Sequence, residues 1–157
     1  MEEKLNECYE KIYELCKIAF PIEWSEVKIW TEKYDQEDCW QYHPAINYKD
    51  SQGRWHRSGD IKKDFSEEAF DCFCMNIPSK IVKDIYKIFA EAGMERFKVF
   101  TYTVDAEGHF EVNYQYEYSQ GEDFLQRMIL WEYETIGFTG ADFHKGIIKR
   151  YHPEADV

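Results

Sequence analysis

The 157-residue chain lacks any run of about 18 apolar residues, the length a bilayer-spanning helix needs. Its N-terminus, Met-Glu-Glu-Lys-Leu-Asn-Glu, lacks the apolar stretch of a secretion signal. Together these absences predict a cytoplasmic protein. Basic residues are scarce. Nineteen Lys and Arg stand against 31 Asp and Glu, a net charge of −12. Nucleic acid and anionic membranes need a basic footprint, so both are predicted not to be partners. A basic partner fits, and so does plain solubility. The five cysteines, Cys8, Cys16, Cys39, Cys72 and Cys74, are odd in number and have no framework spacing. Reduced thiols in a cytosolic chain are the expectation.

Signatures of chemistry are also missing. There is no Gly-rich phosphate loop, GxSxG elbow or GxGxxG, so no cofactor is called for. Cys72-x-Cys74 is a single pair, whereas structural zinc sites use two spaced pairs. His43, His56, His109, His144 and His152 show no HExxH or HxxxH spacing. His144 and His152, eight apart, are the remote option for a metal. Ser25 or Cys39 could pair with a distant histidine, yet nothing singles either out. No catalytic residue and no metal ligand is assigned.

What is present is apolar periodicity. Hydrophobic residues are 44% of the chain, too many for an acidic disordered protein. The length predicts one domain over residues 1–157. Leu5, Cys8, Tyr9, Ile12, Leu15, Cys16 and Ala19 recur at helical spacing, predicting a helix over 2–19 that stops at Pro21. Strands are expected over 24–33 and 39–48, the latter interrupted near Pro44. After the turn Asp50-Ser-Gln-Gly53, a short strand follows at 54–57. A helix starting at Ser66 is predicted to give way to a second at Pro78, which suits a first turn, and Gly93 ends it. Residues 97–104 and 109–118 form a hairpin around Asp105-Ala-Glu-Gly108. On its second strand Phe110, Val112 and Tyr114 alternate with Glu111, Asn113 and Gln115. Helices over 122–136, ending at Gly137, and about 142–151 complete the pattern. The fold class is therefore α+β: an antiparallel sheet with N-terminal, middle and C-terminal helices packed on one side.

The charge is uneven. Residues 105–137 hold Arg127 against eight carboxylates, a net of −7, whereas residues 1–20 hold three basic and five acidic residues. A charge run is usually a solvated face. The sharper reading is a docking surface for a basic partner. Aromatics total 5 Trp, 12 Tyr and 11 Phe. Trp131 and Tyr133 fall on core faces. Tyr34, Trp40, Tyr42 and Trp55, near strand ends, suit either local core or interface anchors.

Gly108-His-Phe-Glu-Val-Asn-Tyr-Gln-Tyr-Glu-Tyr118 followed by Arg127-Met-Ile-Leu-Trp-Glu-Tyr-Glu-Thr-Ile-Gly137 resembles the YezG-like immunity (antitoxin) family. Ile18-Ala-Phe-Pro-Ile-Glu-Trp24, leading into a β segment, is similar to that family's first helix and strand. Between them, the Cys-Phe-Cys segment and Pro78 depart from the family's more continuous helix. The resemblance implies an α+β fold and a bacterial cytoplasmic protein that neutralises a secreted toxin, often a nuclease delivered by a type VII system. It brings no catalytic motif. A nuclease cleft that handles phosphate backbone is basic, so Glu107, Glu111, Glu117, Glu122, Asp123, Glu132 and Glu134 form the pool of candidate toxin contacts. The alternatives are a small-molecule-binding or enzymatic α+β domain, which needs a deep pocket with convergent polar groups, and a self-assembling protein that uses its tyrosine-rich strand.

Overall fold

The computed structural model describes residues 1–20, 23–34, 39–41, 44–57 and 67–157, and all their side chains except those of 67–70 and 72. Pro21, Tyr42, His43, Ser66 and the Cys72 side chain, each named above, lie outside the described residues. The chain forms two compact units, Met1–Glu117 and Tyr118–Val157.

In the first unit, α1 (Glu2–Ala19) precedes β1 (Trp24–Glu32), β2 (Ala45–Asp50) and β3 (Trp55–Arg57). Helical residues Glu67–Glu91 come next, then β4 (Val99–Asp105) and β5 (Phe110–Gln115). The sheet order is β3-β2-β1-β4-β5, and every neighbouring pair is antiparallel. The second unit holds two helices, α4 (Phe124–Ile136) and α5 (Asp142–Tyr151). The α+β class and the antiparallel sheet stand as predicted.

The strand period of two sorts the side chains. Ile29 of β1 lies opposite Ile46 on one side and Tyr102 on the other. With Val27, Tyr48, Phe100 and Val104 they line one face of the sheet, and α1 packs there through Cys8, Ile12 and Cys16. Removing Ile12 from water completely stabilises the unit by about 1.5–3 kcal/mol. Two hydroxyls fasten the helix. Tyr102 donates to the Tyr9 carbonyl at 2.8 Å, and Tyr13 donates to the Ala106 carbonyl in the β4–β5 turn at 3.0 Å. The imperfect alternation of β1 has a cause here. Trp30 and Glu32, opposite in direction to Ile29, are buried as well.

Several boundaries differ from expectation. β2 begins at Ala45; before it, Trp40 makes a single bridge to Lys33 and buries its ring against Tyr86 and Phe97. β5 ends at Gln115 rather than 118. Pro78 does not start a new helix. Helix α2 (Glu67–Asn76) runs through a π-helical stretch, Ile77–Val82, into α3 (Lys83–Glu91). Proline cannot donate to the carbonyl four residues back, and its ring crowds that carbonyl in an α turn. A wider π turn relieves the crowding. The Ser79 hydroxyl donates to the Met75 carbonyl across the same turn.

In the second unit Ile129 and Leu130 of α4 pack with Ile147 and Ile148 of α5 and with Ala155. Helix α4 starts at Phe124, not 122, because Asp123 is its cap: the side chain accepts the Gln126 backbone N–H at 2.9 Å. The Gln126 side-chain oxygen reaches back to the Glu122 N–H at 3.1 Å.

Candidate partner-binding surfaces

Both tight turns of the sheet use the same chemistry. Asp50 Oδ1 accepts the N–H groups of Gln52 and Arg54 at 2.8 and 2.9 Å, and its Oδ2 meets His56 Nε2 at 2.8 Å. Asp105 Oδ1 accepts the N–H groups of Glu107 and His109, both at 2.9 Å, and its Oδ2 meets His109 Nδ1 at 3.0 Å. The His56 hydrogen bond and the backbone donors hold the Asp50 carboxyl below its ordinary range. For Asp105 the His109 backbone donor is the main cause of the same lowering. Ser25 at the start of β1 ties the turns together. Its hydroxyl reaches the Lys49 and Asp50 carbonyls at 3.4 and 3.3 Å, and its own carbonyl accepts the Ala106 N–H at 3.1 Å.

The seven predicted contact carboxylates divide between the units. In the first, Glu107 is exposed at the tip of the β4–β5 turn, and Glu111 is exposed on β5, opposite Thr103. Glu117 stands just beyond β5, with Lys98 Nζ at 3.4 Å. In the second, Glu122 is exposed, with Arg150 at 4.0 Å. Asp123 is engaged as the α4 cap. Glu134 meets His152 Nε2 at 2.8 Å, and Glu154 lies 3.5 Å from that ring's Nδ1. Glu132 is only 2% exposed. Several of these groups therefore have internal partners or structural duties, a distinction that a count of charges does not make.

Other candidates of the sequence reading settle individually. Cys8, Cys16, Cys39 and Cys74 are thiols outside any disulfide, and all but Cys39 are buried. Burial pushes the Cys16 and Cys8 thiols up, away from the reactive thiolate. His144 packs edge-on against Phe138 and Phe143, while His152 is engaged by two carboxylates. Among the described residues no three His, Cys, Asp or Glu gather where they could hold a metal ion. No described helix is long and apolar enough to cross a membrane. Trp40 is core, Trp55 is half-buried beneath the Lys28 and Lys49 ammonium groups, and Tyr34 is exposed.

One surface was not anticipated. On α1, Glu3, Glu7, Glu10 and Glu14 fall within about 60° of helical arc, opposite the buried face. Beside this row a cleft of about 690 Å³ opens between α1 and the stretch from Asn76 to Asp84. The sequence signal for the row was its spacing of four, three and four. Interspersed Lys4, Lys11 and Lys17 mask it in any net count.

In the first unit an antiparallel sheet carries α1 and the helical stretch Glu67–Glu91 on one face, an α+β architecture with an open cleft and exposed carboxylates. The chain matches the family described as "Immunity protein YezG-like" over residues 5–146, and it belongs to that family. Its role is accordingly that of an immunity protein, or antitoxin, and membership suggests inhibition rather than catalysis. No curated protein sequence matches the chain.

Proposed function

We propose that this protein is a cytoplasmic, non-enzymatic immunity protein that binds and neutralises a cognate basic toxin domain, a nuclease, through acidic surface. The match over residues 5–146 carries the reading. The net charge of −12 supports the basic partner, because complementary fields speed encounter and suppress wrong partners. Glu107, Glu111, Glu117 and Glu122 are the exposed members of the sequence-derived pool with the fewest structural duties. The same charge argues against nucleic acid and anionic membranes as partners. Occupation of a basic catalytic cleft would keep the substrate's phosphate backbone out.

The test is co-purification with the toxin domain encoded by the neighbouring gene, with nuclease activity assayed with and without this chain. A stable complex and loss of cleavage are expected. Absence of both for that pair would overturn the proposal.

A further inference from the structure

Helix α1 and the helical stretch Glu67–Glu91 run antiparallel. Phe20, after the end of α1, meets Phe73 at 5.6 Å between ring centroids, while Asp84 acts electrostatically on Cys8 near the start of α1. The cleft between them extends from Glu7 to Ile18 on α1, about 16 Å at 1.5 Å per residue. Its wall is mostly apolar, with exposed Ile18, half-buried Leu15 and the outer edge of the core residue Ile81 contributing. Ile18 is 79% exposed, far more than its neighbours on the core side of the helix. The opposite wall is formed by Asn76 at the end of α2, Lys80 and Ile81 of the π-helical stretch, and Asp84 of α3. Such π-turns occur often at functional sites.

The rim is acidic. Glu7, Glu10, Glu14 and Asp84 outnumber Lys11 and Lys80. Glu14 pairs with Lys17 at 2.8 Å, and the other three carboxylates have no ion pair among the described residues. An apolar trough about three turns long, edged by carboxylates, matches the helix-in-groove mode of recognition. We propose that this cleft receives an amphipathic helix of the cognate toxin, its apolar row on Leu15, Ile18 and Ile81 and its flanking Lys or Arg residues on Glu7, Glu10, Glu14 and Asp84. Charge selects the toxin over a second copy of this chain, because two faces edged with the same carboxylates repel. The inference rests on the immunity reading and names the surface that carries it.

The experiment compares the wild-type chain, Ile18→Asp, the triple variant Glu7→Lys/Glu10→Lys/Glu14→Lys, and the control pair Glu91→Lys/Glu95→Lys, two exposed carboxylates outside both the cleft and the candidate contact pool. Each is titrated with a catalytically inactivated toxin domain encoded by the neighbouring gene, at low and high salt. Ile18→Asp and the triple variant are expected to weaken binding at least about tenfold. The triple variant should also lose salt dependence, and the control pair should change little. Should the triple variant fail to fold, by circular dichroism, Ile18→Asp decides the matter, since its side chain is exposed. Wild-type affinity in Ile18→Asp overturns the inference while leaving the immunity reading intact. So does a wild-type dimer that Ile18→Asp dissociates, because the cleft would then belong to a second copy. A wild-type chain that neither binds nor inhibits the toxin overturns the immunity reading and the inference together.

Discussion

Replacing Gly108 with Ala tests how the hairpin tip is fastened to α1. Gly108 has φ +90°, where an L side chain is strained, and that strain costs about 1–3 kcal/mol. A Cβ built there would sit 2.9 Å from Tyr13 Cε2 and 3.1 Å from its Cζ. The Tyr13 ring would have to move, and its hydroxyl would lose the Ala106 carbonyl, at a cost of about 1 kcal/mol. The expected total is about 2–4 kcal/mol. At about 2–4 °C per kcal/mol for a chain of this length, the melting temperature falls by about 4–16 °C. Calorimetry or denaturant unfolding reads the loss. Two comparisons separate its causes. Gly93→Ala, at φ +70° with nothing within 4 Å, carries strain alone and should cost less. In a Tyr13→Ala background the clash disappears, so Gly108→Ala should cost about 1 kcal/mol less than in the wild type. Equal costs in both backgrounds would refute the claim that Tyr13 anchors the tip carrying Glu107.

Three further outcomes are expected. The carboxyls of Asp50 and Asp105 bind protons less readily in the folded chain than in the unfolded one. Their contribution is therefore complete above the ordinary carboxylate range of about 4 and is lost as pH falls through their lower folded values. Asp50→Asn with Asp105→Asn should lower stability near neutrality and flatten the acid limb in urea unfolding from about pH 7 to about pH 3. An unchanged acid limb would count against the turn hydrogen bonds. Asp123→Ala removes the α4 cap and should cost about 1 kcal/mol, read as faster amide exchange in the first turn of α4. Under native conditions a thiol reagent followed by mass spectrometry should modify Cys39 before Cys8, Cys16 or Cys74, which should react only on unfolding. Early labelling of Cys16 would contradict its burial.

Much of the architecture was legible along the chain, for reasons visible at particular elements. The alternation of Phe110, Val112 and Tyr114 with Glu111, Asn113 and Gln115 placed β5, because one face of that strand packs on the core and the other meets solvent. α1 was equally clear, since its buried residues keep a single helical stripe. β1 was less clear, because Trp30 and Glu32 are buried on the side opposite Ile29 and blur the period. Pro78 misled for a different reason. Local preference treats proline as a helix start, whereas packing of Ile77, Ile81 and Val82 into the core holds the rod together and shifts the adjustment to a π turn.

The surface was less legible than the core. Charge summed by segment pointed to residues 105–137, yet Asp123 caps a helix and Glu132 is buried. The same sums passed over α1, where three lysines offset three of the five glutamates in number. Composition and periodicity determined the acidic character and the α+β class, since these depend on residue type and local spacing, and the segments 18–24, 108–118 and 127–137 carried the family resemblance. Only the tertiary structure decided which carboxylates share a face, which are already engaged, and that an apolar cleft lies beside Glu7, Glu10 and Glu14. The cleft exists because α1 packs against residues some 60 positions later in the chain, and no local pattern encodes that meeting.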